Sequence, residues 1–276
     1  MNAPSAKSSS KFSEMLYRYR AFRHANEPEE ILLENKLWCS RPTSFNDPFD
    51  CRPVYTWTDL SVDEQVARAK AMLADRNIPH TSPEGVNLLQ RARANAFNEP
   101  EMRAVLSFGI QQAVNGSSVC CFNRTCQDVP MWAHYGDNHS GYCLGFKFED
   151  GWPEHAIPLE VEYVRDRPRI DLSVDIKRNH AAALQFVSDS LLSKSSHWQR
   201  EDEVRLIRHD VPEGHFEFPP AALQELFLGY KINGTNRERL LAAVRRRTLP
   251  LRVYQLKPHH ELYEFEAVPV LIDKSA

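Results

Sequence analysis

The sequence predicts an α+β fold with a mixed, largely antiparallel sheet and a helical insertion. Strand-like segments follow one another along the second half of the chain without regular helical crossovers, which favours antiparallel or mixed pairing. Between about residues 60 and 116, apolar residues instead recur at three- and four-residue spacing behind Ser and Pro start signals. Residues 14–276 are therefore interpreted as one domain, preceded by a disordered leader at 1–13 that is rich in Ser, Ala and Lys.

The chain after the leader begins with the predicted strand MLYRYR, which places Arg18 and Arg20 on one face and Tyr17 and Tyr19 on the other. A Pro followed by two Glu residues predicts a short helix, which leads into a second strand around residues 37–39. The next segment, FNDPFD, is rich in Asx and Pro residues and is predicted to be a structured loop.

Three helices are predicted in the insertion, from the segments SVDEQVARAKAMLADRN, SPEGVNLLQRARANAFN and EPEMRAVLSFGIQQAVN. The strands predicted after them are SSVCCFNR, GYCLGFKFE, LEVEYV, EDEVRLIRH, LQELFLGYKI, LRVYQLK and LYEFEAVPVLI. A long helix at 173–194 and a shorter basic helix, NRERLLAAVRRR, separate some of these strands.

Charge and composition exclude several classes of protein. With 34 basic and 37 acidic side chains the net charge is -3, so no global charge favours nucleic-acid binding. No apolar run reaches the roughly 20 residues of a membrane span, and no secretory signal is recognisable. We therefore expect a cytoplasmic protein without a membrane partner, whose six cysteines are reduced and buried. A zinc site within the cluster of Cys and His residues at 120–143 is a less favoured alternative.

Two early motifs are candidates for ligand binding. Guanidinium groups suit bidentate phosphate binding, so Arg18 and Arg20 could hold a phosphate, or could pair with structural acids. In FNDPFD, Asn46, Asp47 and Asp50 could bind a metal or a ribose, or could cap the loop through their own side chains. The residues alone leave both pairs of alternatives open.

Two later motifs carry aromatic rings and carboxylates. In MWAHY, Trp132, His134 and Tyr135 could stack on a planar ring such as nicotinamide or adenine, or could belong to the core. In EDEVRLI, strand alternation would put Glu201, Glu203 and a following Arg on one face. That face is either a site with two acids and a base or simply a solvated surface.

These motifs together resemble an uncharacterised bacterial domain family. The resemblance rests on LYRYR, on L-x-C-S-R-P-x-x-F-N-D-P-F-D, on MWAHY followed by G-Y-C-L-G-F, and on K-x-x-x-W-x-x-E-x-E-x-R-L-I, in that order and over nearly the whole chain after the leader. Genes of that family often lie near phage-resistance genes. More distantly, the strand-one Arg, the central aromatic segment and the late E-x-E resemble the layout of ADP-ribosyltransferases.

The distant resemblance implies an ADP-ribosyltransferase-like fold and an enzyme that cleaves the nicotinamide–ribose bond of NAD. It implies Arg20, with Arg18 as alternate, as the NAD clamp, Tyr135 against nicotinamide, Glu203 as the catalytic acid on the ribose, and Glu201 as the residue that orients the acceptor. The predicted NAD-binding set also includes Asn46, Asp47, Trp132 and His134. The expected partners are NAD, a protein or nucleic-acid acceptor, and an antitoxin or regulatory protein, as for a toxin or phage-defence effector. No metal is required.

Two other functions are compatible with the same residues. A metal-dependent nuclease would use Asp47, Asp50, Glu201 and Glu203 as magnesium ligands, with Lys194 near the scissile phosphate. A non-catalytic nucleotide-binding module would use the polar residues only as a pocket.

Overall fold

The computed structural model describes residues 15–22, 26–149, 152–153, 156–209 and 211–273, without the Lys177 side chain. The leader predicted at 1–13 lies outside the described residues. The protein has the mixed α/β structure and the largely antiparallel open sheet that the sequence predicts. Its chain divides into two compact units, the first made of Met1–Arg41, Ser117–Val161 and His197–Ala276, the second of Pro42–Gly116 and Glu162–Ser196.

The first unit is built on one large sheet. Its strands are β1 (Met15–Arg20), β4 (Ser118–Asn123), β5 (Tyr142–Lys147), β6 (Leu159–Glu160), β10 (Glu203–Arg208), β12 (Leu223–Leu228), β13 (Arg252–Pro258) and β14 (Phe265–Pro269). They lie in the order β14-β13-β12-β5-β1-β4-β10-β6. Neighbours are antiparallel except β12 and β13, which helix α7 (Gly234–Arg246) connects as a crossover. A separate antiparallel pair is formed by β2 (Lys36–Cys39) and β11 (Gly214–Glu217).

The two faces of this sheet are covered by different helices. One face, here called the α1/α7 face, packs on α1 (Glu27–Leu32) and α7 and contains most of the apolar core, including Leu16, Phe122, Leu144, Val204 and Leu226. The other, here called the α5 face, packs on α5 (Val129–His134) and contains Tyr19, Trp132, Cys143 and Phe227. Strand alternation therefore decides which face each polar side chain reaches.

The second unit contains the helices α2 (Val62–Asp75), α3 (Pro83–Arg93), α4 (Pro100–Asn115) and α6 (His180–Leu191). The first three are the helices that the sequence predicts in the insertion, and Leu73, Leu89 and Phe97 are buried in their shared core. Two parallel strand pairs complete the unit, β3 (Val54–Thr56) with β8 (Arg169–Asp171) and β7 (Glu162–Val164) with β9 (Ser193–Ser195). None of the helices in the described part of the chain has the length and apolar character of a membrane-spanning segment.

The predicted helix at 173–194 is wrong at both ends. Helix α6 begins after Asn179, whose side chain caps it by accepting from the amide of Ala182 at 3.1 Å. It ends at Leu191, and the chain then extends into β9, where it pairs with β7. Lys194 therefore lies on a short strand and not on a helix.

Helix α2 carries a complete capping box that allows a direct test. The Ser61 hydroxyl accepts from the Glu64 amide at 3.3 Å, and the Glu64 carboxylate accepts from the Ser61 amide at 2.7 Å. Ser61→Ala is expected to lower the free energy of unfolding by about 1 kcal/mol, because it leaves a helix-terminal amide without its acceptor. Ser61→Thr, which keeps a capping hydroxyl, is the control in urea unfolding followed by circular dichroism. Equal losses in both variants would contradict this role of the hydroxyl.

Candidate functional site

A buried carboxylate and a buried guanidinium mark the start of β10 on the α5 face. Glu203 is 4% exposed and Arg205 is 0% exposed, and their side chains point the same way because they are two residues apart on a strand. Arg205 donates from Nε to Glu203 Oε1 at 2.9 Å and from Nη2 to Glu203 Oε2 at 3.0 Å. This bidentate pair holds Glu203 as an anion in a fixed orientation.

Glu201 reaches the same region from the turn before the strand. It ends the 3-10 helix Ser196–Glu201, and Asp202 reverses the chain with a φ of 43°, in the left-handed region. Asn123, the register partner of Glu203 on β4, donates its side-chain amide to the carbonyl of Glu201 at 2.7 Å. The phenol of Tyr135 donates to Glu201 Oε1 at 2.6 Å. The turn is therefore anchored from both its main chain and its side chain.

Tyr135 is positioned by helix α5. The carboxylate of Asp128 caps this helix by accepting from the amide of Met131 at 2.9 Å. Tyr135 follows the last residue of the helix, and its amide donates back to the carbonyl of Met131 at 2.8 Å. The short helix thus delivers the phenol to Glu201.

Three aromatic rings lie together beside the carboxylates. The ring of His134 lies 6.3 Å from that of Tyr135 and 6.4 Å from that of Trp198, between centroids. His134 is exposed, whereas Tyr135 and Trp198 are half-buried, so all three rings have some accessible surface. Here, "the carboxylate site" means Asn123, Tyr135, Glu201, Glu203 and Arg205, with these rings as its rim.

The carboxylate site can stabilise positive charge. Glu203 is paired with the guanidinium of Arg205, and Glu201 accepts a hydrogen bond from a phenol. Cys121 lies beside them on β4, where burial and the negative charge of Glu203 raise the pKa of its thiol well above the ordinary value. Cys121 is therefore a neutral neighbour of the site and not a nucleophile.

The two predicted clamp arginines lie on the opposite face of the sheet. Tyr17 of β1 pairs with Asn123 of β4, which pairs with Glu203 of β10, so odd-numbered positions of β1 share a face with Glu203. Arg18 and Arg20 therefore point to the α1/α7 face. The prediction that they converge with Glu203 on one cleft is wrong.

Both arginines have structural partners where they are. Arg18 is buried, and its guanidinium contacts Cys120 Sγ and donates to the carbonyl of Trp38 at 2.7 Å. Arg20 forms an ion pair with the buried Glu27 of α1. Arg20 thus pairs with a structural acid, which is one of the alternatives that the sequence left open, whereas Arg18 is bonded to a thiol and to a main-chain carbonyl.

Trp132 is a core residue and cannot stack on a ligand. Its side chain is 0% exposed, packs edge-on against Tyr19 at 5.3 Å between ring centroids, and donates from Nε1 to the carbonyl of Cys126 at 2.8 Å. Of the three residues predicted from MWAHY to stack, His134 and Tyr135 lie at the site rim, and Trp132 does not.

The FNDPFD residues belong to the second unit. Asn46 is exposed, and the buried Asp47 accepts from the amide of Phe49 at 2.9 Å, as in an Asx turn. Asp50 forms a buried ion pair with Lys194 at 3.8 Å. Asn46 and Asp47, predicted to bind NAD, thus lie in a different unit from Tyr135, Glu201 and Glu203. The four predicted nuclease ligands are divided between the units in the same way.

The cysteines predicted as an alternative zinc site do not share one face. Cys120 lies in the core of the α1/α7 face, whereas Cys126 and Cys143 lie in that of the α5 face. All six cysteines are free thiols, as the sequence predicts.

Potential metal ligands do meet at His259, His260 and Glu266, within 4.8 Å of one another. However, Nδ1 of His259 accepts from the amides of Glu261 at 3.1 Å and Leu262 at 3.0 Å. Neutral histidine then carries its proton on Nε2, the nitrogen that faces Glu266 at 3.4 Å. A metal on Nε2 needs the opposite tautomer, so this arrangement is a hydrogen-bonded turn.

Sequence reasoning missed the residues that support the carboxylates. Asn123 ends a strand that reads as apolar, and only its register against β10 brings it to Glu201. Trp198 was part of a motif but was not assigned to a ligand, although its ring lies by His134. The Trp and the two Glu residues share one continuous segment, which was the available signal.

Residues 131–206 match the model of a protein family of unknown function (DUF2971). No curated protein matches the chain, and no solved structure does. The match supports an uncharacterised domain family, as predicted from the motifs. It spans the segment with Tyr135 and the segment with Glu201, Glu203 and Arg205, but not Asn123.

Proposed function

We propose that the protein is an ADP-ribosyltransferase-like enzyme that cleaves the nicotinamide–ribose bond of NAD at the carboxylate site. The observation that carries the proposal is a pair of buried carboxylates. Glu201 Oε1 accepts a hydrogen bond from the hydroxyl of Tyr135 at 2.6 Å, and both oxygens of Glu203 accept hydrogen bonds from Arg205. The distant resemblance in the E-x-E segment points to the same two residues.

The reaction needs a fixed negative charge beside the sugar. As the bond from C1′ to the nicotinamide nitrogen breaks, its electron pair leaves with nicotinamide and positive charge builds on the ribose. Glu203 would interact with the ribose hydroxyls and become a stronger partner as that charge grows. Its bidentate pair with Arg205 keeps the carboxylate from reorienting, so little reorganisation is needed at the transition state.

Glu201 would then act on the incoming group. An acceptor hydroxyl, amine or water adds to C1′ and loses a proton, and a carboxylate is a suitable base for that proton. The Tyr135 hydrogen bond would orient the Glu201 carboxylate for this role. The acceptor, a protein or a nucleic acid, and any antitoxin or regulator are parts of the proposal without a contact in the structure to specify them.

The rest of the dinucleotide would lie against groups near the two carboxylates. The rings of His134 and Trp198 offer planar surfaces for nicotinamide or adenine. Arg200 is exposed next to Glu201, and Arg124 bonds Asp202 at 3.4 Å. These two arginines, and not Arg18 and Arg20, are the cations that we assign to the pyrophosphate.

The test measures the rate of nicotinamide release from NAD by chromatography. Glu201→Gln is expected to lower the rate by about a hundredfold, the usual scale for loss of a general base. For Glu203 we choose the double variant Glu203→Gln/Arg205→Met, because it removes both charges of the buried pair together. It is expected to lower the rate by a factor of about 10² to 10³.

The matched control is Glu225→Gln. Glu225 is a buried carboxylate on the same face and in the same row of the sheet as Glu203, but four strands away, roughly 19 Å at the usual strand spacing. Its variant should turn over NAD at the parent rate. Tight NAD binding without nicotinamide release in the parent protein would instead identify a non-catalytic nucleotide-binding module. Absence of both NAD binding and nicotinamide release would reject the proposal.

A further inference from the structure

Arg18 is a buried cation with no carboxylate partner among the residues that the structure describes. Its guanidinium contacts Cys120 Sγ and donates to the main-chain carbonyls of Trp38 at 2.7 Å and Cys121 at 3.4 Å. Arginine stays protonated in proteins, and a buried charge is costly unless an opposite charge or many dipoles compensate it. The acidic groups that act on Arg18 are three thiols, those of Cys120, Cys39 and Cys121, and one phenol, that of Tyr142.

Cys39 and Cys120 lie opposite each other on neighbouring strands. Ser40 and Val119 form an antiparallel bridge with both hydrogen bonds, at 2.9 and 2.8 Å. The next pair along is Cys39 with Cys120, which is therefore a non-hydrogen-bonded pair, and both residues lie in the core of the α1/α7 face. Such pairs have Cα atoms about 4.5 Å apart, within the span of a disulfide.

The pKa values of the two thiols are shifted in opposite directions. The hydrogen bond with Cys120, together with the charges of Arg18 and Arg208, lowers the pKa of the Cys39 thiol to about 7 against the opposing effect of burial. Burial raises the pKa of Cys120 well above its ordinary value. The pair therefore loses its first proton easily and its second with difficulty, as expected for two sulfurs that share one cation.

We propose that Cys39 and Cys120 form a dithiol site, activated by Arg18, that a hydroperoxide oxidises reversibly to a cross-strand disulfide. The proposal is independent of the NAD chemistry, because the site lies on the opposite face of the sheet from Glu203.

The chemistry balances with a hydroperoxide as the oxidant and a dithiol as the reductant. The Cys39 thiolate attacks hydrogen peroxide, takes one oxygen as a sulfenic acid and releases hydroxide. The Cys120 sulfur then attacks that sulfenic sulfur, and the S–O bond breaks to give the disulfide and water. In total, two thiols and one peroxide give one disulfide and two waters. An added dithiol reverses the reaction by exchange and is itself oxidised to a disulfide.

Access to the buried sulfurs depends on strand β2. This strand has four residues and pairs with β11 in a two-stranded sheet. It is linked to β4 by the isolated Ser40–Val119 bridge. Short elements with few bonds open locally at low free-energy cost. Trp38, which precedes Cys39, is already exposed. A molecule as small as hydrogen peroxide can therefore reach the pair during such openings, whereas a bulky alkylating reagent should react more slowly.

The experiment treats the folded full-length chain with hydrogen peroxide, alkylates the remaining thiols and maps the cross-links by mass spectrometry of proteolytic peptides. We expect a Cys39–Cys120 disulfide that an added dithiol removes. Because Cys121 neighbours Cys120 in sequence, Cys121→Ser should keep the cross-link and Cys120→Ser should lose it. Absence of the cross-link in the folded parent chain, or its persistence in Cys120→Ser, would overturn the proposal.

The role of Arg18 has its own readout. Arg18→Met is expected to slow disulfide formation at pH 7 by about fivefold or more, since a rise of one unit from a thiol pKa of about 7 lowers the thiolate fraction from about one half to about one tenth. Arg18→Lys, which retains a cation, should stay closer to the parent rate. If Arg18→Met does not fold, the pH dependence of the parent rate serves instead. A midpoint near that of an ordinary cysteine, about 8.5, would reject activation by Arg18, as would an unchanged rate in a folded Arg18→Met.

Discussion

Glu203→Gln is expected to lower the free energy of unfolding by about 3–5 kcal/mol, because it breaks a buried ion pair from one side. Arg205 is 0% exposed, and its guanidinium donates hydrogen bonds to both oxygens of Glu203, at 2.9 and 3.0 Å. The glutamine side chain has no negative charge, so the cation stays in the core without this compensation. The effect would make Glu203→Gln alone a poor test of catalysis.

The measurement is urea unfolding of the parent and three variants. Glu203→Gln/Arg205→Met should recover most of the lost free energy, because it leaves no buried charge of this pair. Glu160→Gln breaks the ion pair of Glu160 with Arg124 at 2.7 Å, where the carboxylate is largely exposed, and should cost less than about 1 kcal/mol. If Glu203→Gln costs no more than Glu160→Gln, the pair does not contribute to stability as its burial indicates.

Local patterns in the sequence were enough to predict most elements of the first unit, although β11 was not predicted and LEVEYV was predicted as one strand where β6 and β7 lie. The alternation in MLYRYR placed Arg18 with Arg20 and Tyr17 with Tyr19, as in β1. It could not show which of these faces carries Glu203, because that depends on the register of three strands. A shift of one residue in the pairing of Asn123 would move every side chain of the next strand to the other face. The predicted meeting of Arg20 with Glu203 failed at this step.

The carboxylate site was predictable in part. Tyr135 and the late E-x-E segment do come together, and the phenol donates to Glu201. The sequence placed Glu201 on a strand with Glu203, but the strand begins at Glu203 and Asp202 turns the chain before it. A left-handed φ at an Asp leaves no periodic signal in the sequence. Glu201 is therefore positioned by hydrogen bonds from other elements, which only the tertiary structure reveals.

The buried side of α5 could not be predicted from the local sequence. The two tryptophans near the site therefore differ in burial in a way that the sequence does not show. A helix of six residues has too few turns for apolar spacing to define its buried side. The structure buries Trp132 and leaves Trp198 half-exposed. The same residue type thus has a structural role at one position and a partly exposed ring at the other, which predicts opposite results for the two substitutions.

Trp132→Ala is expected to lower the free energy of unfolding by about 3–5 kcal/mol, the usual range for removal of a buried aromatic side chain. It removes the edge-on contact with Tyr19 and leaves the Cys126 carbonyl without the indole donor at 2.8 Å. Trp198→Ala should cost less than half as much in the same urea unfolding experiment, because its ring is only partly buried. NAD binding by calorimetry should respond in the opposite order, with the larger loss in Trp198→Ala. Unchanged NAD affinity in a folded Trp198→Ala would remove that ring from the proposed binding surface. Its neighbour on the same rim is His134.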